Sequence, residues 1–159
     1  MMSYKSVESY LPHSGEMVLV DEIIEVGADF IITKTIIKNH AIFCESVGES
    51  AESTESQSLA FPTYKAIELM AQSLGIFRAL NEKGSGSKLG FLLGARRFEI
   101  LRPFILREAR TKVVVSMQDS SGMGVYDCEI FEGENLVARA SISALNPSNE
   151  FLSQIKEQI

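Results

Sequence analysis

Apolar and β-branched residues first gather in two early runs, "MVLVDEIIEV" (17–26) and "DFIITKTIIK" (29–38), separated by Gly27 and Ala28. Two runs rich in Val, Ile and Thr around a small-residue break predict a hairpin of two strands. Over 45–58, "ESVGESAESTESQS", the pattern changes: four Glu, five Ser, and Val47 as the one large apolar residue. That composition predicts a mobile, solvated, acidic and Ser-rich loop. Pro62 then opens a helix from Thr63 to about Glu82, with Gly75 its one internal breaker. Ile67, Met70, Ala71, Leu74 and Phe77 share one stripe, while Leu69, Ile76 and Leu80 lie off it. A helix apolar on most sides is expected to be surrounded by protein. "NEKGSGSK" (81–88) ends it.

The remainder reads as strand. "LGFLLGARRFEI" (89–100), "TKVVVSMQDS" (111–120), "GVYDCEIFEG" (124–133) and "NLVARASISAL" (135–145) are four candidates, with "EGEN" a hairpin turn between the last two. Pro147 closes the sheet, and "NEFLSQIKEQI" is expected as a short terminal helix. Two strands, one long buried helix and four strands make an α+β chain, read as a single domain over 1–159.

Composition narrows the function. The chain has 159 residues, 45% apolar and 23% charged, which suits one globular domain. The net charge of −6 argues against a nucleic-acid partner. No apolar run approaches the ~20 residues of a membrane helix, and "MMSYKSVESYLPH" has no signal-like apolar region, so a cytoplasmic location is expected. Cys44 and Cys128 lack metal-site spacing, and neither a metal nor another cofactor is expected. His13 and His40 are the two histidines, so imidazole chemistry has few sources. Glu68 stands out between Ile67 and Leu69, a carboxylate in an apolar helix. A carboxyl in an apolar pocket can act as a proton donor. The plainer alternative is a solvated carboxylate or one paired with Lys65.

Three motifs carry a resemblance. "LPHSGEMVLVDEIIEV", "PTYKAIELMAQSLG" and "GFLLGARRFEILRPF" resemble the β-hydroxyacyl-acyl-carrier-protein dehydratases of type II fatty-acid synthesis. With "LPH…M", "ELMAQ" and "GFLLGARR" the chain also resembles the divergent dehydratase-like proteins of aryl-polyene and related polyketide-type clusters. The resemblance covers nearly the whole chain. It implies a hotdog fold, an antiparallel sheet wrapped around one long central helix. It also implies a homodimer or larger even oligomer, or a heterodimer with a second hotdog subunit. The implied activity is (3R)-hydroxyacyl-carrier-protein dehydration, the partner being an acyl carrier protein with its phosphopantetheine-linked acyl substrate. Two alternatives stand beside it: a non-catalytic acyl-binding partner subunit, and an acyl thioesterase.

By the same resemblance Glu68 is the catalytic acid. The backbone N–H groups near Thr63 and Tyr64 would hold the enolate oxygen, and Gln72 would orient the carboxyl. The family's catalytic His, in Gly-His-Phe-Pro before the helix, has no counterpart here. Ser46 falls near its place, and Thr63 replaces the Gly after the motif proline. His40 is the candidate base if its strand end reaches the helix start; otherwise it is an ordinary polar residue. Arg96, Arg97, Arg102, Arg107 and Arg110 concentrate positive charge. They suit either a carrier phosphate or a solvated strand edge.

Overall fold

A computed structural model describes residues 6–11, 15–47, 58–81 and 91–145. The elements are β1 (Glu22–Val26), β2 (Phe30–Ile36), β3 (Glu45–Val47), β4 (Ser58–Pro62), α1 (Ala66–Asn81), β5 (Phe91–Ile100), β6 (Phe104–Ile105), β7 (Glu108–Gln118), β8 (Met123–Glu132) and β9 (Asn135–Leu145). Six strands form one antiparallel sheet in the order β1-β2-β7-β8-β9-β5, and β3-β4-β6 form a small second one. The expected α+β order holds.

Alternation along the strands decides which face meets the helix. Ile31, Thr33 and Thr35 of β2, Ala109, Thr111 and Val113 of β7, and Tyr126, Cys128 and Ile130 of β8 are all buried. They face one way because side chains alternate with period two. α1 packs against β2, β7 and β8 and is buried through Leu69, Met70, Leu74, Ile76 and Phe77, on more than one side. On the opposite face Glu99, Arg139, Glu129 and Lys112 stand in one cross-strand row of alternating sign. Arg139 donates from Nε and Nη2 to Glu99 Oε2 at 3.1 and 2.9 Å. Opposite charges directly across a sheet stabilise the register that aligns them.

Three boundaries differ from the sequence pattern. The first run, 17–26, becomes strand only from Glu22, and Gly15–Met17 is a 3-10 turn. The second strand stops at Ile36, whose N–H donates to Asp21 Oδ2 at 2.6 Å, and a kinked 3-10 segment runs over Ile37–Phe43. The expected loop 45–58 begins and ends in strand: β3 pairs with β4, Glu45 opposite Ala60 and Val47 opposite Ser58. Ladder hydrogen bonds tolerate Ser and Glu in a short edge strand. Residues 48–57 and the expected terminal helix lie outside the described residues, as does His13. Among the described residues no helix is long and apolar enough to cross a membrane.

The far end of the helix is held by a buried polar group. Tyr126 Oη accepts from Arg78 Nη1 and from Gln118 Nε2 (2.9 Å), while Arg78 Nη2 donates to the Gly122 carbonyl at 3.0 Å. Gly124 makes room for this ring: a Cβ there would stand 2.4 Å from the Tyr126 hydroxyl oxygen. Gly124→Ala is therefore expected to displace a fully buried, hydrogen-bonded tyrosine. Overpacking of this kind costs about 1–3 kcal/mol, to be read from urea denaturation of the two forms.

Candidate functional site

Glu68 lies in the first turn of α1 and is only partly buried, unlike Leu69 and Met70 beside it. Gln72 follows four residues later, so the two side chains share a helix face. Gln72 Nε2 donates to Glu68 Oε1 at 3.0 Å and to the Met17 carbonyl at 2.7 Å. Its Oε1 accepts the Leu19 N–H at 2.8 Å. Gln72 is 1% exposed, so this amide is buried with its donors and acceptor engaged. The arrangement holds the carboxyl oxygen on one side and the Met17–Leu19 backbone on the other.

The approach to the helix is equally built. Thr63 is fully buried, and its N–H donates to the Pro103 carbonyl at 2.9 Å. The expectation that this N–H is open to a substrate is thereby corrected: a residue from the β5–β6 connection takes it. The Tyr64 N–H, one residue on, meets no acceptor among the described residues. The Tyr64 ring is exposed and its hydroxyl donates to Glu45 Oε1 at 3.3 Å. Desolvation, and then the Glu45 carboxylate, push the phenol above its ordinary pKa. Lys65 donates to the Phe43 carbonyl at 2.9 Å and lies 5.8 Å from the centre of the Tyr64 ring.

His40 is placed elsewhere. Its ring Nε2 lies 2.8 Å from Asp21 Oδ2, and the residue is 7% exposed. Asp21 also accepts the Ile36 N–H and, at 3.4 Å from its other oxygen, the Asn39 amide. The 3-10 segment that carries His40 does pack on β4, which leads into the helix, but the imidazole turns to Asp21. No hydrogen bond or ion pair joins His40 to Glu68. Ser46 is exposed in β3, opposite Leu59. Arg96 and Arg97 are exposed on β5, the edge of the large sheet, where the pairing shifts between Arg96 and Glu99. Arg97 has φ 55°, the one non-glycine in the left-handed region among the described residues. Such a bulge turns a side chain away from the regular pleat.

The pattern of residues did not reveal two features. The Asp21–His40 pair depends on a chain reversal between β1 and the segment after β2. The Thr33–Ser73 hydroxyl contact, 2.8 Å and buried, joins sheet to helix. Neither has a local signal, although Asp21 at the mouth of a strand is a residue type that caps backbone N–H groups.

The comparisons with known proteins agree with one another. The model of the ApeP-like family, described as ApeP dehydratase, matches residues 5–156. The chain belongs to the ApeP-like family. Its fold is that of the dehydratase heterocomplex ApeI:P from Xenorhabdus doucetiae, with a TM-score of 0.76 at 23% identity over 96% of this chain and 98% of that one. The PaaI protein of the E. coli phenylacetic acid degradation operon gives 0.54 at 16% identity over 79% and 82%. A hypothetical thioesterase with coenzyme A from Streptococcus pneumoniae gives 0.54 at 16% identity over 80% and 86%. The expected hotdog fold and dehydratase family are both met.

Replacing Gln72 by Leu keeps the bulk of the side chain and removes its hydrogen bonds. The buried Leu19 N–H then loses its partner, at about 1–3 kcal/mol, while the carbonyl of the exposed Met17 is left to solvent. Faster amide exchange at Leu19, together with a lower melting temperature, is the expected result.

Proposed function

We propose that this chain is a hotdog subunit of a dehydratase that removes water from 3-hydroxyacyl thioesters on an acyl carrier protein, with Glu68 as its acid. The observation that carries this reading is the position of Glu68: partly open at the helix start, and oriented by a buried amide that is itself anchored. In the reaction the C3–O bond and the C2–H bond break, a C2=C3 double bond forms, and water leaves. Glu68 gives its proton to the hydroxyl, which departs as water. The C2 proton passes to a base, and no hydrogen bond or ion pair among the described residues links His40 to Glu68 for that role. The Tyr64 N–H, at the positive end of α1, is the donor suited to the thioester oxygen as charge develops there. Gln72 keeps the carboxyl turned towards the substrate.

A second reading, a helper subunit that binds an acyl chain beside an active hotdog partner, is favoured by one observation. His40, the candidate base, is bonded to Asp21 through Nε2, and no hydrogen bond or ion pair among the described residues joins it to Glu68. Under this reading the base comes from the other subunit. Assembly is supported by β5, a ten-residue strand at the edge of the large sheet among the described residues, with Leu92, Leu93 and Ile100 exposed. An unpaired apolar edge is satisfied by a second hotdog subunit, identical or not, across a two-fold axis. Arg96 and Arg97 on the same strand are the residues proposed to meet the carrier's phosphate.

The test is Glu68→Gln, assayed with a 3-hydroxyacyl thioester on a carrier protein, alone and with a co-expressed hotdog partner. Loss of a general acid lowers turnover by about 10²–10⁴-fold. The melting temperature is expected to hold, because Gln keeps the shape and the oxygen that Gln72 donates to. Unchanged turnover would sink the assignment of Glu68. Enoyl product only with the partner present supports the helper reading, and free acid as product supports a thioesterase instead.

A further inference from the structure

The large sheet has a second edge at β1, and that edge opens onto a groove of about 1250 Å³. Seven consecutive residues, Val20–Val26, line it, so the rim of the strand itself forms one wall. Val7, Glu8, Gly15 and Glu16 of the N-terminal segment form the other. β2 takes up one side of the β1 backbone; on the far side no strand pairs with it among the described residues. An open row of N–H and C=O groups is a template for another extended chain. Here it stands inside a groove with a facing wall, rather than on an open surface.

Charge decides what fits. Glu8, Glu16, Glu22 and Glu25 are exposed around the groove. Glu8 accepts the Gly15 N–H and Glu22 pairs with Lys34 at 3.1 Å, while Glu16 and Glu25 meet no cation among the described residues. Asp21 and His40 close one end, already bonded to each other. These carboxylates repel the same edge of a second copy, so two chains do not pair with each other through β1. They attract lysine and arginine. We propose that the groove binds a basic peptide in extended form, which adds as a strand beside β1. At ~3.4 Å per residue the five residues of β1 give it a footprint of ~17 Å. Main-chain hydrogen bonds supply affinity in this mode, and flanking side chains supply selectivity.

The probe is a short fluorescein-labelled peptide of alternating lysine and valine. One control carries methyl groups on alternate backbone nitrogens, and a second replaces lysine by glutamate. Fluorescence anisotropy with the full chain is expected to show saturable binding of the basic peptide and none of the acidic one. Methylation should weaken binding by about tenfold or more, as should Glu25→Lys at unchanged melting temperature. Amide exchange should slow at residues 23–26 on binding. Equal binding of the basic peptide and its methylated form overturns the proposal, since charge alone would then account for it. So does an absence of saturable binding, or protection of β1 that rises with protein concentration and needs no peptide.

Discussion

The side chain of Gln72 is where three parts of the chain meet. It reaches from the middle turns of α1 to the backbone at Met17 and Leu19, and back along the helix to Glu68. A primary amide has two donor hydrogens and an accepting oxygen, and burying it without partners costs several times what one good hydrogen bond contributes. The helix can therefore take few rotations about its axis that leave this residue satisfied. The rotation that satisfies Gln72 puts Leu69, Ile76 and Phe77 into the core and leaves Glu68 partly open. One buried polar side chain thus fixes both the packing of the helix and the direction in which its carboxylate faces.

The same contact explains why the first strand begins late. Val18, Leu19 and Val20 are buried and apolar, and by composition they belong with Ile23 in one strand. Yet the Leu19 N–H goes to a side chain instead of a neighbouring strand, so the ladder starts only at Glu22. Hydrophobic pattern reports which residues are inside, and is silent on what accepts their backbone hydrogens. The small sheet β3-β4-β6 is obscure for the opposite reason. Glu45 and Ser46 are exposed and polar, and they are strand only because β4 offers a ladder at the right distance. The long helix, the hairpin β1–β2 and the strands β5, β7, β8 and β9 were legible because period and burial agree along them. At the site, Glu68 and Gln72 were legible as a pair because their spacing is local. The partners of His40 and Thr63 were not, since Asp21 and Pro103 are brought in by tertiary structure.

The two edges of the large sheet differ in a way that composition conceals. β5 is ten residues long, carries Leu92, Leu93, Arg96 and Arg97 exposed, and is bent by two shifts in its pairing. β1 is five residues long, with one shift and with Glu22 and Glu25 exposed. A chain of net charge −6 thus presents basic residues on one edge and acidic residues on the other. Charges on an edge strand act as a filter on what pairs with it. Under the two proposals above, β1 takes a basic chain, while β5 takes a second hotdog subunit and turns Arg96 and Arg97 towards the carrier.

Thr63 and His40 bear on the same question from two sides. At the helix start, where the resemblance places a glycine whose N–H faces substrate, this chain has a buried threonine whose N–H is taken by Pro103. In the segment before it, the histidine that could act as base is taken by Asp21. The Thr63 N–H is thereby engaged in holding the fold, and His40 is bonded to Asp21 through one ring nitrogen. Glu68 and the Tyr64 N–H stand together at the helix start. Under the function proposed above, the described residues set an acid and one carbonyl donor at the helix start, with no hydrogen bond or ion pair from Glu68 to His40. The helper reading supplies the base from a second subunit. The exposed apolar edge at β5 is the surface through which a second hotdog subunit would bring it. Under that reading the chemistry of the site and the edge of the sheet call for the same thing, a second hotdog subunit.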